Sequence, residues 1–405
     1  MRKRFLLTLV TLLILGGLAA AAVFLAKGYR LSPENKTIFG TGILSLTSTP
    51  DQASVYIDGH LTTATNANVN SLEPRFYEIK IVKDGFIPWQ KKIEIKQGLV
   101  TEVKATLFPA IPSIYPLSFN GALNLTISPD NQRVAFLVPG EGETNPLSIK
   151  KGGIWVWDMK EQPIAFARGR EPHQILAAVT GLDLTKASFR WAPDSNQLLV
   201  SLPDKNLLLD ANRLNDPPKD ITAILKATLS TWDQDMATTT ASRVLALKDL
   251  TMRREASEAA YLKWSPDETK LLYSRDGETS FKVIDLTERK SFDLSEINVK
   301  EGRATPYMWL ADSRHLILTE VTSGPVVSPT PAGSPNTGKN VAEAELLNGT
   351  ISVLEYDGTN TSILYAGKVE ADSVFSWPDG SRLIIVSSIP TPTASQPNLY
   401  GLNLK

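Results

Sequence analysis

The chain has 405 residues, 42% of them apolar, with 42 lysines and arginines against 43 aspartates and glutamates, three histidines and no cysteine. That length exceeds one ordinary domain, and the balanced charge offers no basic patch for nucleic acid. The lack of cysteine removes disulfides, thiolate metal sites and a cysteine nucleophile. His60, His173 and His315 lie far apart in sequence, so neither a zinc centre nor any other cofactor or metal site is expected.

Arg2, Lys3 and Arg4 precede an uncharged apolar run from Phe5 to Ala26. At about 1.5 Å per residue such a run reaches about 33 Å as a helix, enough for a hydrocarbon core of about 30 Å. The sequence therefore predicts one N-terminal transmembrane helix, with residues 1–27 as a cytoplasmic basic tip and anchor. It contacts the membrane through residues 5–26. A cleavable signal peptide with a small-residue site at Ala19–Ala22 is the alternative. Either reading puts the bulk of the chain outside the cytoplasm, at the cell membrane for the anchor. Residues 28–40 read as a polar linker.

From residue 41 to residue 108, apolar positions alternate at Ile43–Leu44–Leu46, Val55–Ile57, Tyr77–Ile79–Ile81, Ile93–Ile95 and Val100–Val103. Turn signals fall at Thr49–Pro50–Asp51, Asp58–Gly59, Lys83–Asp84–Gly85 and Gln97–Gly98. Short alternating strands between such turns predict a small antiparallel β-sandwich. The stretches "STPDQASVYIDG" and "YEIKIVKDGFIPWQKKIEI" are similar to the PEGA domain family, although the Pro-Glu-Gly-Ala stretch that names the family is absent. The resemblance implies an envelope-facing, glycan-associated module and transfers no catalytic residues. For Trp89, a place in the strand packing outweighs a sugar-stacking platform.

Beyond residue 109 one phrase recurs five times: "LTISPDNQRVAFLV", "FRWAPDSNQLLVSL", "LKWSPDETKLLYSR", "YMWLADSRHLILTE" and "VFSWPDGSRLIIVS". The copies share Asp130, Asp194, Asp267, Asp312 and Asp379, with a polar residue three positions on and apolar residues four and six positions on. Proline presets the turn and the aspartate accepts a downstream backbone N–H, so each copy reads as strand, tight turn, strand. Five copies of one acid argue for turn caps rather than for a catalyst or a metal ligand. Trp191, Trp264 and Trp309 share one position, and Trp377 stands one residue later; such aromatics wedge between neighbouring sheets. A weaker third-strand element follows each copy.

This is an all-β pattern, a small β-sandwich followed by the blades of a β-propeller, five recognisable and a sixth as the alternative. The blades resemble TolB-like, WD40-like repeats. The propeller is expected over residues 109–405, with an insertion at about 214–258. There, Ile221, Ile224, Leu225, Leu229 and Trp232 mark a short amphipathic helix, "SRVLALKDL" is a candidate strand, and a degenerate sixth blade competes with the insertion. The segment "IPSIYPLSF" (111–119) is a candidate for closing the ring from the other terminus.

Three units carry long Pro-, Ser-, Thr- and Gly-rich inserts between their second and third strands. Radial repetition puts all three on one face, a candidate binding surface. No Gly-x-Ser-x-Gly elbow occurs. The expected role is extracytoplasmic binding or scaffolding, with an envelope polysaccharide or a surface protein as partner. A propeller glycosidase with an unmarked carboxylate pair and a purely structural spacer are the alternatives.

Overall fold

The computed structural model describes residues 2–26, 29–31, 38–139, 152–159, 171–178, 182–275, 279–294, 303–304, 307–321, 347–370, 372–389 and 397–405. They form two compact units, Met1–Ile111 and Pro112–Lys405. The chain opens with helix α1, Arg2–Ala26. Its side chains are described without interruption only over residues 8–24. Among the described residues no helix is long and apolar enough to cross a membrane, so they do not support the expected transmembrane helix. The expected linker contains a two-stranded ribbon, Tyr29–Leu31 antiparallel to Ile38–Gly40.

In the rest of the first unit a three-stranded sheet faces a four-stranded one. The strand Phe76–Val82 shows how the sequence builds it: Tyr77, Ile79 and Ile81 turn inward and the residues between them outward, the period of two that a pleated strand imposes. These three pack with Leu44, Leu46, Val55, Ile57 and Val103 in the core. The sandwich is not purely antiparallel. Its last strand, Val100–Thr106, runs parallel to its first, Gly42–Thr49, with Ile43 opposite Val100 and Leu46 opposite Val103. The strands His60–Ala64 and Ala67–Leu72 left no apolar alternation in the sequence because most of their side chains face water.

The described residues of the second unit form five sheets, and each contains one copy of the repeated phrase as a pair of adjacent antiparallel strands. Blade 1 is Leu123–Ile127, Arg133–Val138, Gly153–Asp158 and His173–Ala177. Blade 2 is Ser188–Trp191, Gln197–Ser201, Asn206–Asp210 and Lys219–Asp220, and blade 3 is Tyr261–Trp264, Lys270–Ser274, Lys282–Asp285 and Lys290–Asp293. In blade 4 the short strands Arg303–Ala304 and Met308–Trp309 both pair with His315–Val321, followed by Leu347–Glu355 and Ser362–Val369. Blade 5 takes Val374–Ser376, Arg382–Ser387 and Asn398–Asn403 from the C-terminal end and its fourth strand, Ile114–Pro116, from far upstream. The second strands are apolar without alternation, as in Lys270–Ser274 and Arg382–Ser387, because both of their faces are covered.

Four of the junctions between neighbouring blades are direct. Phe136, Val138 and Trp157 of blade 1 meet Ile384, Val386 and Leu399 of blade 5. The other face of blade 1, Ala135, Leu137 and Val156, meets Phe189, Trp191 and Val200 of blade 2. Leu272 and Val283 of blade 3 pack on Trp309, Leu316 and Leu354 of blade 4. Hydrogen bonds join blade 4 to blade 5: the Ala311 amide donates to Ser376 Oγ (3.2 Å) and Ser387 Oγ to the Lys368 carbonyl (2.7 Å).

The remaining sector, between blades 2 and 3, holds no sixth blade. It is filled by two helices, α2 (Leu225–Leu245) and α3 (Leu250–Ser257). Trp232, Leu225 and Leu229 of α2 cover Leu199 and Leu208 of blade 2. Val244 of α2 and Ala256 and Met252 of α3 cover Leu271, Tyr273 and Ile284 of blade 3. The segment "SRVLALKDL", a candidate strand in the sequence, is the end of α2, the turn after it and the start of α3. Asp249 caps α3, accepting from the amides of Thr251 and Met252.

Candidate functional site

The repeated aspartates all do one thing. The Oδ1 atoms of Asp130, Asp194, Asp267, Asp312 and Asp379 each accept the backbone N–H two residues on, at 2.7 to 3.0 Å. The next residue is left-handed in every copy: Asn131, Ser195, Glu268, Ser313 and Gly380 have φ between 56° and 65°. A short polar side chain folding back on its own turn is the mechanism that makes aspartate common there.

These corners also tie blade to blade. The Asp130 amide donates to Ser195 Oγ of blade 2 (3.1 Å), and the Asp267 amide donates to Ser313 Oγ of blade 4 (3.0 Å). Trp191 Nε1 donates to the Thr126 carbonyl of blade 1 and Trp309 Nε1 to the Lys263 carbonyl of blade 3. Trp377 instead meets Trp157 edge to face, with ring centroids 5.5 Å apart, and carries the Arg382 guanidinium over its own ring.

The polar position three residues after each aspartate has a partner that the sequence did not reveal. Arg133 lies opposite Asp158, Gln197 opposite Asp210, Lys270 opposite Asp285, His315 opposite Glu355 and Arg382 opposite Asn403. Each is a cross-strand polar pair between the second and third strands of one blade. In blade 4 His315 Nδ1 also sits 2.6 Å from Asp312 Oδ2. Burial pushes the Asp312 carboxyl upward, but the hydrogen bond and charge of His315 and the amides of Arg314 and His315 overcome it and hold the carboxyl below its ordinary range. Aspartate, serine and histidine thus meet at one corner, yet His315 is 4% exposed and Ser313 is buried and bonded across the blade junction. Asp312 is exposed at the corner, but its carboxylate is taken up by His315 and the turn amides while Ser313 faces the blade junction, so the cluster serves the turn. No group of three histidines, aspartates or glutamates able to hold a metal occurs among the described residues.

Trp89 is 5% exposed and sits within the core of the first unit, against the strand that carries Ile81. Its ring offers no open face for a sugar to stack on.

The candidate functional surface is therefore the edge of the propeller opposite the aspartate corners, where second strands turn into third strands. In blades 2 and 3 this connection runs only from Ser201 to Asn206 and from Ser274 to Lys282. In blades 4, 5 and 1 it runs from Val321 to Leu347, from Ser387 to Asn398 and from Val138 to Gly153. Blades 4, 5 and 1 are consecutive around the ring, so the three long connections leave from adjacent sectors. Most of the three inserts lies outside the described residues. Their stems are firmly set. Asn398 Oδ1 accepts from the Gly121 amide (2.9 Å) and Ser118 Oγ (3.2 Å), and Ser387 is fully buried. Gly153 opens its strand with φ of +135°, its α-carbon set against the backbone of Leu176 to Ala178.

Residues 41–111 match the family model described as the PEGA domain. No curated protein matches the chain. Among solved structures, the putative TolB from Agrobacterium tumefaciens is similar at 10% identity and a TM-score of 0.24, over 88% of this chain and 99% of that one. TolB from Acinetobacter baumannii is similar at 13% and 0.23, over 82% and 62%. The β-propeller domain of the Trilobed protease from Pyrococcus furiosus is similar at 14% and 0.20, over 71% and 69%. At scores this low the likenesses add nothing to the sheet order and blade packing that define the fold. The chain joins a segment that matches the PEGA domain, residues 41–111, to a β-propeller at residues 112–405 whose described residues form five blades.

Proposed function

We propose that this is a membrane-anchored, extracytoplasmic binding or scaffold protein that engages an envelope polysaccharide or a surface protein through the long-connection edge of its propeller. The observation that carries the reading is the grouping of those connections on the adjacent blades 4, 5 and 1. A ligand spanning three sectors meets three long connections leaving from buried strands, the arrangement in which loops acquire binding roles. The anchor rests on the uncharged run from Phe5 to Ala26 behind Arg2, Lys3 and Arg4, within a helix of 25 residues. The PEGA match at residues 41–111 supports an envelope-facing placement.

The test compares residues 28–405 with a variant in which residues 322–346 are replaced by Asn-Gly, on an array of cell-envelope glycans and on isolated envelope proteins. The full segment is expected to retain a glycan or a surface protein, and the variant to lose it by about tenfold or more. Retention of nothing by either protein removes the binding reading and leaves the spacer. Equal retention by both removes the 322–346 connection from the site. In cells the full chain is expected in the membrane fraction, with residues 41–405 open to external protease; a protected, unanchored chain contradicts the topology.

A further inference from the structure

The junction between blades 2 and 3 differs from those between blades 1 and 2 and between blades 3 and 4. The two corner ties that recur at those two junctions are missing. The serine that receives an aspartate amide is replaced in blade 3 by Glu268, which pairs with Arg243 of α2 instead (3.0 Å). The indole of Trp264, in register with Trp191 and Trp309, has no carbonyl to reach. Trp264 Nε1 and Arg190 Nη1 are the two buried side-chain polar atoms without a hydrogen-bond partner among the described residues. They belong to the first strands of blades 3 and 2, the two blades that flank this junction. No hydrogen bond, ion pair or shared apolar cluster joins the two blades directly among the described residues; each packs on the helices instead.

The helix that bridges them is weak by its own sequence. The N-cap position of α2, Ile224, makes no side-chain capping bond, and no acidic residue stands in the first turn. The segment "MATTTAS" in its second half is rich in β-branched and small polar residues of low helix propensity. Only Trp232 and Val244 of α2 are buried, one against each blade. A helix of this kind is held by tertiary contacts alone, and here those contacts are two separate patches. Beyond them, Arg190 pairs with Asp233 of α2 (2.5 Å), and Tyr273 donates to Glu255 of α3 (3.1 Å).

We propose that the propeller opens at this one seam and that α2 is a removable wedge holding the ring shut. Release of α2 uncovers Leu199 and Leu208 on blade 2 and leaves Leu271, Tyr273 and Ile284 on blade 3 with only the cover of α3, while every other junction keeps its direct blade-to-blade contacts. The seam is thus a conformational device in the fold, separate from the long-connection edge.

Hydrogen exchange of the full chain tests this. In the wild type the amides of α2 are expected to exchange about tenfold or more faster than those of Arg133–Val138 and Gln197–Ser201. Trp232→Ala is expected to speed exchange in α2, α3 and Tyr261–Trp264 by about a further tenfold and to leave blades 4, 5 and 1 unchanged. Protection of α2 equal to that of the blade interiors overturns the proposal. So does a Trp232→Ala variant in which all five blades accelerate together or in which nothing changes.

Discussion

Replacing Gly153 by alanine is expected to lower propeller stability by about 2–4 kcal/mol. A β-carbon built on Gly153 falls 2.1 Å from the Leu176 carbonyl oxygen and 2.9 Å from the Ala178 nitrogen. Both are backbone atoms, so no side chain can rotate away. The backbone is also at φ of +135°, a conformation that alanine resists. Relief requires the third and fourth strands of blade 1 to part at the foot of the 138–153 connection, where Gly153 lies opposite both Val138 and Ala177. Gly358→Ala is the control within the same unit. Gly358 has φ of +81° with no atom nearer than 3.5 Å to an added β-carbon, so only the backbone term remains and the loss is about 1 kcal/mol. Urea unfolding followed by tryptophan fluorescence reads both. A change below about 0.5 kcal/mol for Gly153→Ala contradicts the packing described for blade 1.

Phe136→Ala carries the second large effect. Phe136 is 2% exposed and lies in the cluster through which blade 1 meets blade 5, with Ile384, Val386 and Leu399 across the junction. Removing the ring leaves a cavity between two β-sheets whose hydrogen bonding stops them from collapsing together, and the expected cost is about 3–5 kcal/mol. The loss belongs to the unit Pro112–Lys405 alone. The unit Met1–Ile111 has its own core around Leu44, Ile79 and Ile81, so unfolding of the variant should separate into an early propeller step and an unmoved second step. A single shared transition that moves as a whole shows that the two units do not unfold independently.

The repeat was legible in the sequence because its signal is local. A turn of four residues fixes the proline, the aspartate and the left-handed residue after it at constant spacing, and each of the five corners repeats them with small variations. The closing strand was legible too. Ile114–Pro116 pairs with Asn398–Asn403, with Tyr115 opposite Gly401, and a ring whose last unit is one strand short calls for such a segment. Less visible were features that depend on where distant segments meet. The acids opposite Arg133, Lys270 and His315 stand at the ends of third strands whose spacing from the corner varies with the inserts. The parallel pairing of Val100–Thr106 with Gly42–Thr49 leaves no trace in alternation, which is the same for either direction. The apolar positions from Ile221 to Trp232 marked only the first half of the helical wedge, because α2 buries a narrow stripe and its second half is held by blade 3. The strand-packing reading of Trp89 agrees with its place in the core of the first unit.

The central claim is that residues 112–405 form one ring, closed by a strand from the upstream end of the unit. The chain has no cysteine, so one introduced pair reports without interference. Tyr115 and Gly401 face each other across the closing strand pair, 286 positions apart in sequence. The double variant Tyr115→Cys/Gly401→Cys is predicted to form an intramolecular disulfide under mild oxidation in the folded protein and to lose it only on reduction. Two thiols that stay free in the native state, and pair no faster than in urea, would contradict the ring.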